Sequence, residues 1–184
     1  MLKKLPLGLQ TFEKIIEGNY LYVDKTQDIY HLLNSGGTYY FLSRPRRFGK
    51  SLLVSTLKSL FLGQQELFKD LWIYDQITWK EHPIIHIDFS SMSYNTPEQL
   101  AKNLGRRMDE FAKQHQMSLD KGTDYTGKFR QLLIQLGSHE KVVILIDEYD
   151  KPMIDFIGES TALENRKVLK NFYEIMKVSD PYIH

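Results

Sequence analysis

The sequence contains no cysteine. This excludes a disulfide framework, a zinc–thiolate site and a thiol nucleophile, and it fits a reducing compartment. Neither sign of charge is in excess: 24 Lys and Arg stand against 23 Asp and Glu, a formal net charge of +1 over 184 residues. Bulk electrostatics therefore give no argument for nucleic acid or for an acidic membrane surface. Long apolar runs are missing as well. The longest, Val142–Ile146, is far short of the ~20 residues that cross a bilayer. The basic start, Met1–Pro6, has no apolar stretch behind it to make a signal peptide. Repeats and low-complexity tracts are also lacking. What is present is ordinary globular usage, 42% apolar and 26% charged, which excludes wholesale disorder. The expectation is a soluble cytoplasmic protein without a membrane partner, of a length suited to one domain.

Periodicity predicts a short helix at Phe12–Ile16, a strand at Tyr20–Val23 and a helix from Gln27 to Asn34, with Thr26 as N-cap and Gly36-Gly37 as stop. Thr38–Leu42 is β-branched, aromatic and apolar on both faces, as a strand buried in a sheet should be. A helix follows over Lys50–Leu62, then an irregular aromatic stretch at Leu67–Trp79. Ile84–Phe89 and Val142–Ile146 read as further buried strands. Helices are expected from Thr96-Pro97 to Gln114, over Gly127–Leu136, briefly over Asp150–Ile157, and over Ala162–Lys177. Apolar strands alternating with helices indicate an α/β protein with a largely parallel sheet, whose ligands bind at the strand C-terminal edge.

The first chemical signal is Gly49-Lys50-Ser51, set between the predicted strand Thr38–Leu42 and a helix. In that context backbone N–H groups cup phosphates and the helix N-terminus favours negative charge. Lys reaches the β- and γ-phosphates, and Ser ligates Mg²⁺. The usual first glycine of such a loop is replaced by Arg44. The segment Arg44-Pro45-Arg46-Arg47-Phe48-Gly49-Lys50-Ser51 carries a formal +4, against +1 for the whole chain, and a polyphosphate is the natural counter-charge.

The second signal is the apolar run Val142–Ile146 leading directly into Asp147 and Glu148. In a parallel sheet these carboxylates stand at the ligand-binding edge. An Asp there holds Mg²⁺, and a neighbouring Glu accepts a proton from the attacking water. Each motif taken alone has a bland reading, a solvated basic loop or a solvated strand end. Their joint occurrence in one α/β chain favours the chemical one. Two classes of function follow: an ATPase, or a non-hydrolysing nucleotide- or nucleic-acid-binding module that uses the Arg-rich loop. The Asp147-Glu148 pair favours the first, because binding alone does not need the Glu.

Arg44–Ser51 and Leu145–Pro152, with Tyr20–Thr26 and Leu5–Gly8, closely resemble the signatures of the bacterial AAA-ATPase-like family over nearly the whole chain. The resemblance implies a P-loop NTPase three-layer sandwich and Mg-dependent ATP hydrolysis. Arg44, Arg46, Arg47, Phe48, Gly49, Lys50, Ser51 and Leu52 would bind nucleotide. Ser51 and Asp147 would hold Mg²⁺, and Lys50, Asp147 and Glu148 would serve catalysis. The family's N-terminal segment, here residues 1–37, would flank the nucleotide, with Phe12, Tyr22 or Asp24 beside the base. Members commonly continue into a C-terminal nuclease-like domain. This makes nucleic acid a partner of a longer protein, with self-association as a further expectation.

Tyr182-Ile183-His184 looks like the start of another parallel strand after the last helix, so residues 1–184 are expected to lack C-terminal strands. Asp88 is a candidate hydrogen-bond partner for Glu148 or, more plainly, a turn-forming Asp before Ser90-Ser91. His82 and His86 would lie about 13 Å apart on a strand, too far to share a metal. Arg106, Arg107 and Arg166 read as solvated helix faces, and the aromatics as packing.

Overall fold

Capping chemistry sets where the helices of this chain begin. The computed structural model describes residues 3–43, 45 and 48–184. The Thr96 side chain accepts from the Gln99 N–H at 3.2 Å, and with Pro97 in the first turn it starts α4 (Pro97–Gln114) as the sequence predicts. Asp124 accepts from the Gly127 N–H and the Thr126 hydroxyl, both at 2.8 Å, and starts α5 (Tyr125–Gly137) two residues earlier than periodicity suggests. Helix α2 (Thr26–Leu33) starts one residue earlier than expected, so Thr26 is its first residue and not its N-cap; Asp24 accepts from the Thr26 N–H at 2.8 Å. The Thr26 hydroxyl is instead buried and accepts from the Ile73 N–H at 3.2 Å.

The chain divides into two compact units, one reaching Ile84 and one spanning Ile85–His184. In the first, α1 (Phe12–Glu17) packs against α3 (Lys50–Phe61), and the Phe12 N–H donates to Ser55 Oγ at 2.9 Å. Phe12 is fully buried between Tyr22 and Phe68, with ring centroids 5.1 and 4.7 Å away. Two single turns of 3-10 helix, Gln65–Phe68 and Trp72–Asp75, complete the unit.

Two predicted strands of this unit do not form. Tyr20–Val23 contributes one parallel bridge, Tyr20 to Lys4, while Leu21 and Val23 are exposed. Thr38–Leu42 is neither a strand nor buried: Tyr39, Tyr40 and Phe41 are 48%, 47% and 73% exposed. Local bonds hold it elsewhere. The Tyr40 hydroxyl donates to the Leu32 carbonyl at 2.9 Å, accepts from the Gly37 N–H at 3.0 Å and meets Ser35 Oγ at 2.8 Å. The segment is thereby folded back onto the end of α2. β-Propensity reports fit to a pleated, partnered surface, and this segment does not join a strand.

The second unit is built on two parallel strands, β1 (Ile84–Asp88) and β2 (Val143–Asp147), connected through α4 and α5. Ile85, Ile87 and Val142 join Leu100, Leu104, Met108, Phe129, Leu132 and Phe172 in one core, with Ile144 and Ile146 packed against it. Phe129 and Phe172 stack at 4.3 Å and join α5 to α7 (Ser160–Val178). Each fully buried side chain of this size stabilises the fold by roughly 1.5–3 kcal/mol. The single turn α6 (Lys151–Ile154) lies between β2 and α7 and packs on α7. Past α7, Ile183 forms a parallel bridge with Val142, in which the Val142 N–H donates to the Tyr182 carbonyl at 2.8 Å and the His184 N–H to the Val142 carbonyl at 3.0 Å. The fold class is α/β with a small parallel sheet.

Candidate functional site

In the first unit, helix α3 begins at Gly49, whose φ is +75°. A methyl group at this position would meet none of the described residues within 4 Å, and the backbone conformation calls for glycine. The Gly49 carbonyl accepts the first helical bond, from the Leu53 N–H at 2.9 Å. Among the described residues no side-chain cap bonds to this start, and no acidic residue sits in the first turn. A helix N-terminus carrying Lys50 and Ser51 has the donor set that suits a phosphate. Phe48 before it is 64% exposed. Leu52 is half-buried, and its carbonyl accepts from the Thr56 hydroxyl at 2.9 Å. Arg44, Arg46 and Arg47 lie outside the described residues.

The three N-terminal residues expected beside a base are packed and bonded within the unit. Phe12 is wholly buried. Asp24 places one carboxylate oxygen on the Thr26 N–H and the other on the Trp72 N–H, each at 2.8 Å. Tyr22 packs on Phe12, and burial raises its hydroxyl pKa.

In the second unit, β2 ends at Asp147, which is 9% exposed. Asp147 Oδ1 accepts from the Glu148 N–H at 2.9 Å, and the other carboxylate oxygen has no hydrogen bond among the described residues. Glu148 has φ +51°, a left-handed conformation that a non-glycine residue adopts only when its surroundings impose it. Its carbonyl accepts from the Lys151 N–H at 3.1 Å, closing a turn that leads directly into α6. No group of three or more His, Asp and Glu suited to a metal occurs among the described residues.

The family model described as a predicted AAA-ATPase matches residues 6–184. The chain belongs to this AAA-ATPase-like family. An uncharacterized protein in the vnfD 5' region of Azotobacter chroococcum mcd 1 is 40% identical over 189 residues, an alignment that covers 98% of this chain and 36% of that protein. The chain thus spans about a third of that relative's length. No solved structure matches it.

Other sequence candidates in this AAA-ATPase-like chain resolve into structural roles. Asp88 does not hold Glu148: its two carboxylate oxygens accept from the Ser90 N–H and the Ser90 hydroxyl, both at 2.8 Å, the plain Asp-Ser turn. Arg106 and Arg107 both pair with Glu110 on their own helix, and Arg107 also lies over the Phe111 ring at 4.8 Å. Arg166 is exposed. His82 is buried edge-on against Phe61, with ring centroids 5.7 Å apart. No helix among the described residues is long and apolar enough to cross a membrane.

Sequence reasoning missed Asn165, Tyr94 and Asp155. Asn165 is fully buried on the same stripe of α7 as Leu169 and Phe172. A polar residue at helical spacing from two buried apolar ones was the available signal. Its Nδ2 donates to the Tyr94 carbonyl at 2.9 Å and to the Pro152 carbonyl at 2.8 Å. The Tyr94 hydroxyl donates to Asp155 at 2.6 Å.

Proposed function

We propose that this AAA-ATPase-like chain binds ATP with Mg²⁺ and hydrolyses it to ADP and phosphate, driving a conformational switch. The observation that carries the reading is Glu148, a carboxylate held in a left-handed backbone conformation at the end of a buried apolar strand. That conformation costs on the order of 1–2 kcal/mol for a non-glycine residue.

In this reading residues 6–184 form a P-loop sandwich. The Gly49 turn and the first N–H groups of α3 receive the phosphates. Lys50 stabilises the charge that develops on the transferring phosphoryl group. Ser51 and Asp147 would hold Mg²⁺, which when bound neutralises charge on the β- and γ-oxygens. Glu148 orients a water and takes its proton as the oxygen attacks phosphorus and ADP departs. Arg44, Arg46 and Arg47 add positive charge around the phosphates, with Phe48 and Leu52 flanking them.

The test is phosphate release by the parent and by Glu148→Gln, with and without Mg²⁺. The parent should turn over only with Mg²⁺. The variant should bind ATP as the parent does and release phosphate at least about 10²-fold more slowly. Equal rates in the two proteins would remove Glu148 as the base, and no release from the parent would remove the hydrolase reading.

A further inference from the structure

The turn that carries Glu148 leads into α6, a helix of four residues, Lys151–Ile154. One turn of helix is unstable by itself, so its position must come from tertiary contacts. The bond that would continue the helix past Pro152 is absent: the Phe156 N–H turns to the Met153 carbonyl at 3.3 Å. The Pro152 carbonyl is therefore one of the orphan acceptors at a helix end. Asn165 Nδ2 supplies its donor, at 2.8 Å. The second N–H of the same amide goes to the Tyr94 carbonyl at 2.9 Å, and the Tyr94 hydroxyl returns to Asp155, the residue after α6, at 2.6 Å. The bonds close a ring: Asn165 to Tyr94, Tyr94 to Asp155, back along α6 to Pro152, and Pro152 to Asn165.

The amide is kept at a cost. Asn165 is fully buried and its Oδ1 has no partner among the described residues. An unsatisfied buried carbonyl oxygen disfavours Asn against Leu if packing on α7 were its only task. Only an amide offers two N–H donors from one short, planar group; Asp would face two carbonyl oxygens with a third acceptor.

Glu148 is tied to this ring through the backbone. Its carbonyl accepts the Lys151 N–H at 3.1 Å, so the first residue of α6 anchors it. The Tyr94 hydroxyl pKa is pushed up to about 12, first by burial, then by its bond to and the charge of Asp155, then by the charges of Glu148 and Asp88.

We propose that Asn165 is a positioning residue for Glu148: its buried amide closes the ring that holds the 148–155 turn and keeps Glu148 in its left-handed conformation. The proposal rests on the reading of Glu148 as the base. Without the ring, the Glu148 turn would relax toward ordinary dihedrals and the carboxylate would lose its aim. The binding residues assigned to α3 would be untouched.

The experiment compares the full chain with Asn165→Ala and Tyr94→Phe. Turnover is measured at saturating Mg-ATP, affinity with a fluorescent ATP analogue, and backbone order by amide hydrogen exchange. In Asn165→Ala, kcat should fall about tenfold while analogue affinity stays within about twofold, and peptides over 148–157 should exchange at least about tenfold faster, with α4 and α5 unchanged. Tyr94→Phe removes only the bond to Asp155 and should lower kcat about threefold. Parental kcat and exchange in Asn165→Ala would overturn the proposal. So would equal losses of turnover and affinity, the mark of a merely structural role. If Asn165→Ala does not fold, Tyr94→Phe decides, and unchanged exchange over 148–157 in that variant overturns the proposal. A parent without ATP turnover sinks the hydrolase reading alone, and the exchange data still decide whether Asn165 holds the turn.

Discussion

The Glu148 N–H donates to Oδ1 of Asp147 over 2.9 Å, so the carboxylate assigned to Mg²⁺ also fixes the backbone on which the assigned base stands. The two roles separate by substitution. Asp147→Asn keeps an acceptor for the Glu148 N–H and should weaken only Mg²⁺ binding, so that phosphate release needs more Mg²⁺. Asp147→Ala removes the acceptor as well and should cost about 1 kcal/mol more in stability. Thermal unfolding of the two variants, with the Mg²⁺ dependence of phosphate release, checks this.

The left-handed conformation of Glu148 makes stability and activity oppose each other. It costs a non-glycine residue about 1–2 kcal/mol, and glycine's greater freedom in the unfolded chain offsets about 0.5–1 of the gain from relieving it. Glu148→Gly should therefore raise the unfolding midpoint by about 1–3 °C for a chain of this size while abolishing hydrolysis. A lower midpoint would show that the conformation is not strained.

Lys50 is the first residue of α3, at a start that no side chain caps among the described residues. Lys50→Ala should weaken ATP binding at least about tenfold, equivalent to about 1.4 kcal/mol, with the fold intact. Titration calorimetry with Mg²⁺ and far-UV circular dichroism measure the two halves of the statement.

Gly49 tests the backbone itself. At φ +75° with open space around its Cα, Gly49→Ala should cost about 1–2 kcal/mol through strain alone, without a packing clash. The loss should be the same in the presence and absence of salt. Gly49→Asn, which tolerates this region better, should lose less.

Asp24 makes the first unit sensitive to acid. Burial would raise its pKa, but donation from the Trp72 N–H and from the Thr26 side chain and N–H outweighs burial and holds the carboxyl below its ordinary value. A carboxyl depressed in the folded state adds stability above its unfolded pKa and loses it as pH falls through the folded one. Stability should thus drop below about pH 4. Asp24→Ala should cost about 1 kcal/mol at neutral pH, a value kept small because the residue is largely exposed. At pH 2 the variant and parent should differ little, which urea unfolding at the two pH values would show.

How far the chain could be read depended on the range of the interactions involved. Helices α3, α4 and α7, and strands β1 and β2, follow from local apolar periodicity and caps such as Thr96, because those signals lie within one element. Gly49-Lys50-Ser51 and Asp147-Glu148 were equally visible, since motif and flanking element are contiguous. Thr38–Leu42 was misread because a strand's pairing is not local: its composition suits a sheet, and the Tyr40 hydroxyl instead binds it to the end of α2. The same holds for Asp24, whose carboxylate reaches Trp72, 48 residues away. Tertiary structure alone decided that Glu148 adopts φ +51° and that Asn165 binds the carbonyls of Tyr94 and Pro152, 71 and 13 residues distant. Sequence determines which groups need partners. Which partners they find is settled only when the core brings distant backbone together and leaves each buried N–H and carbonyl to be satisfied.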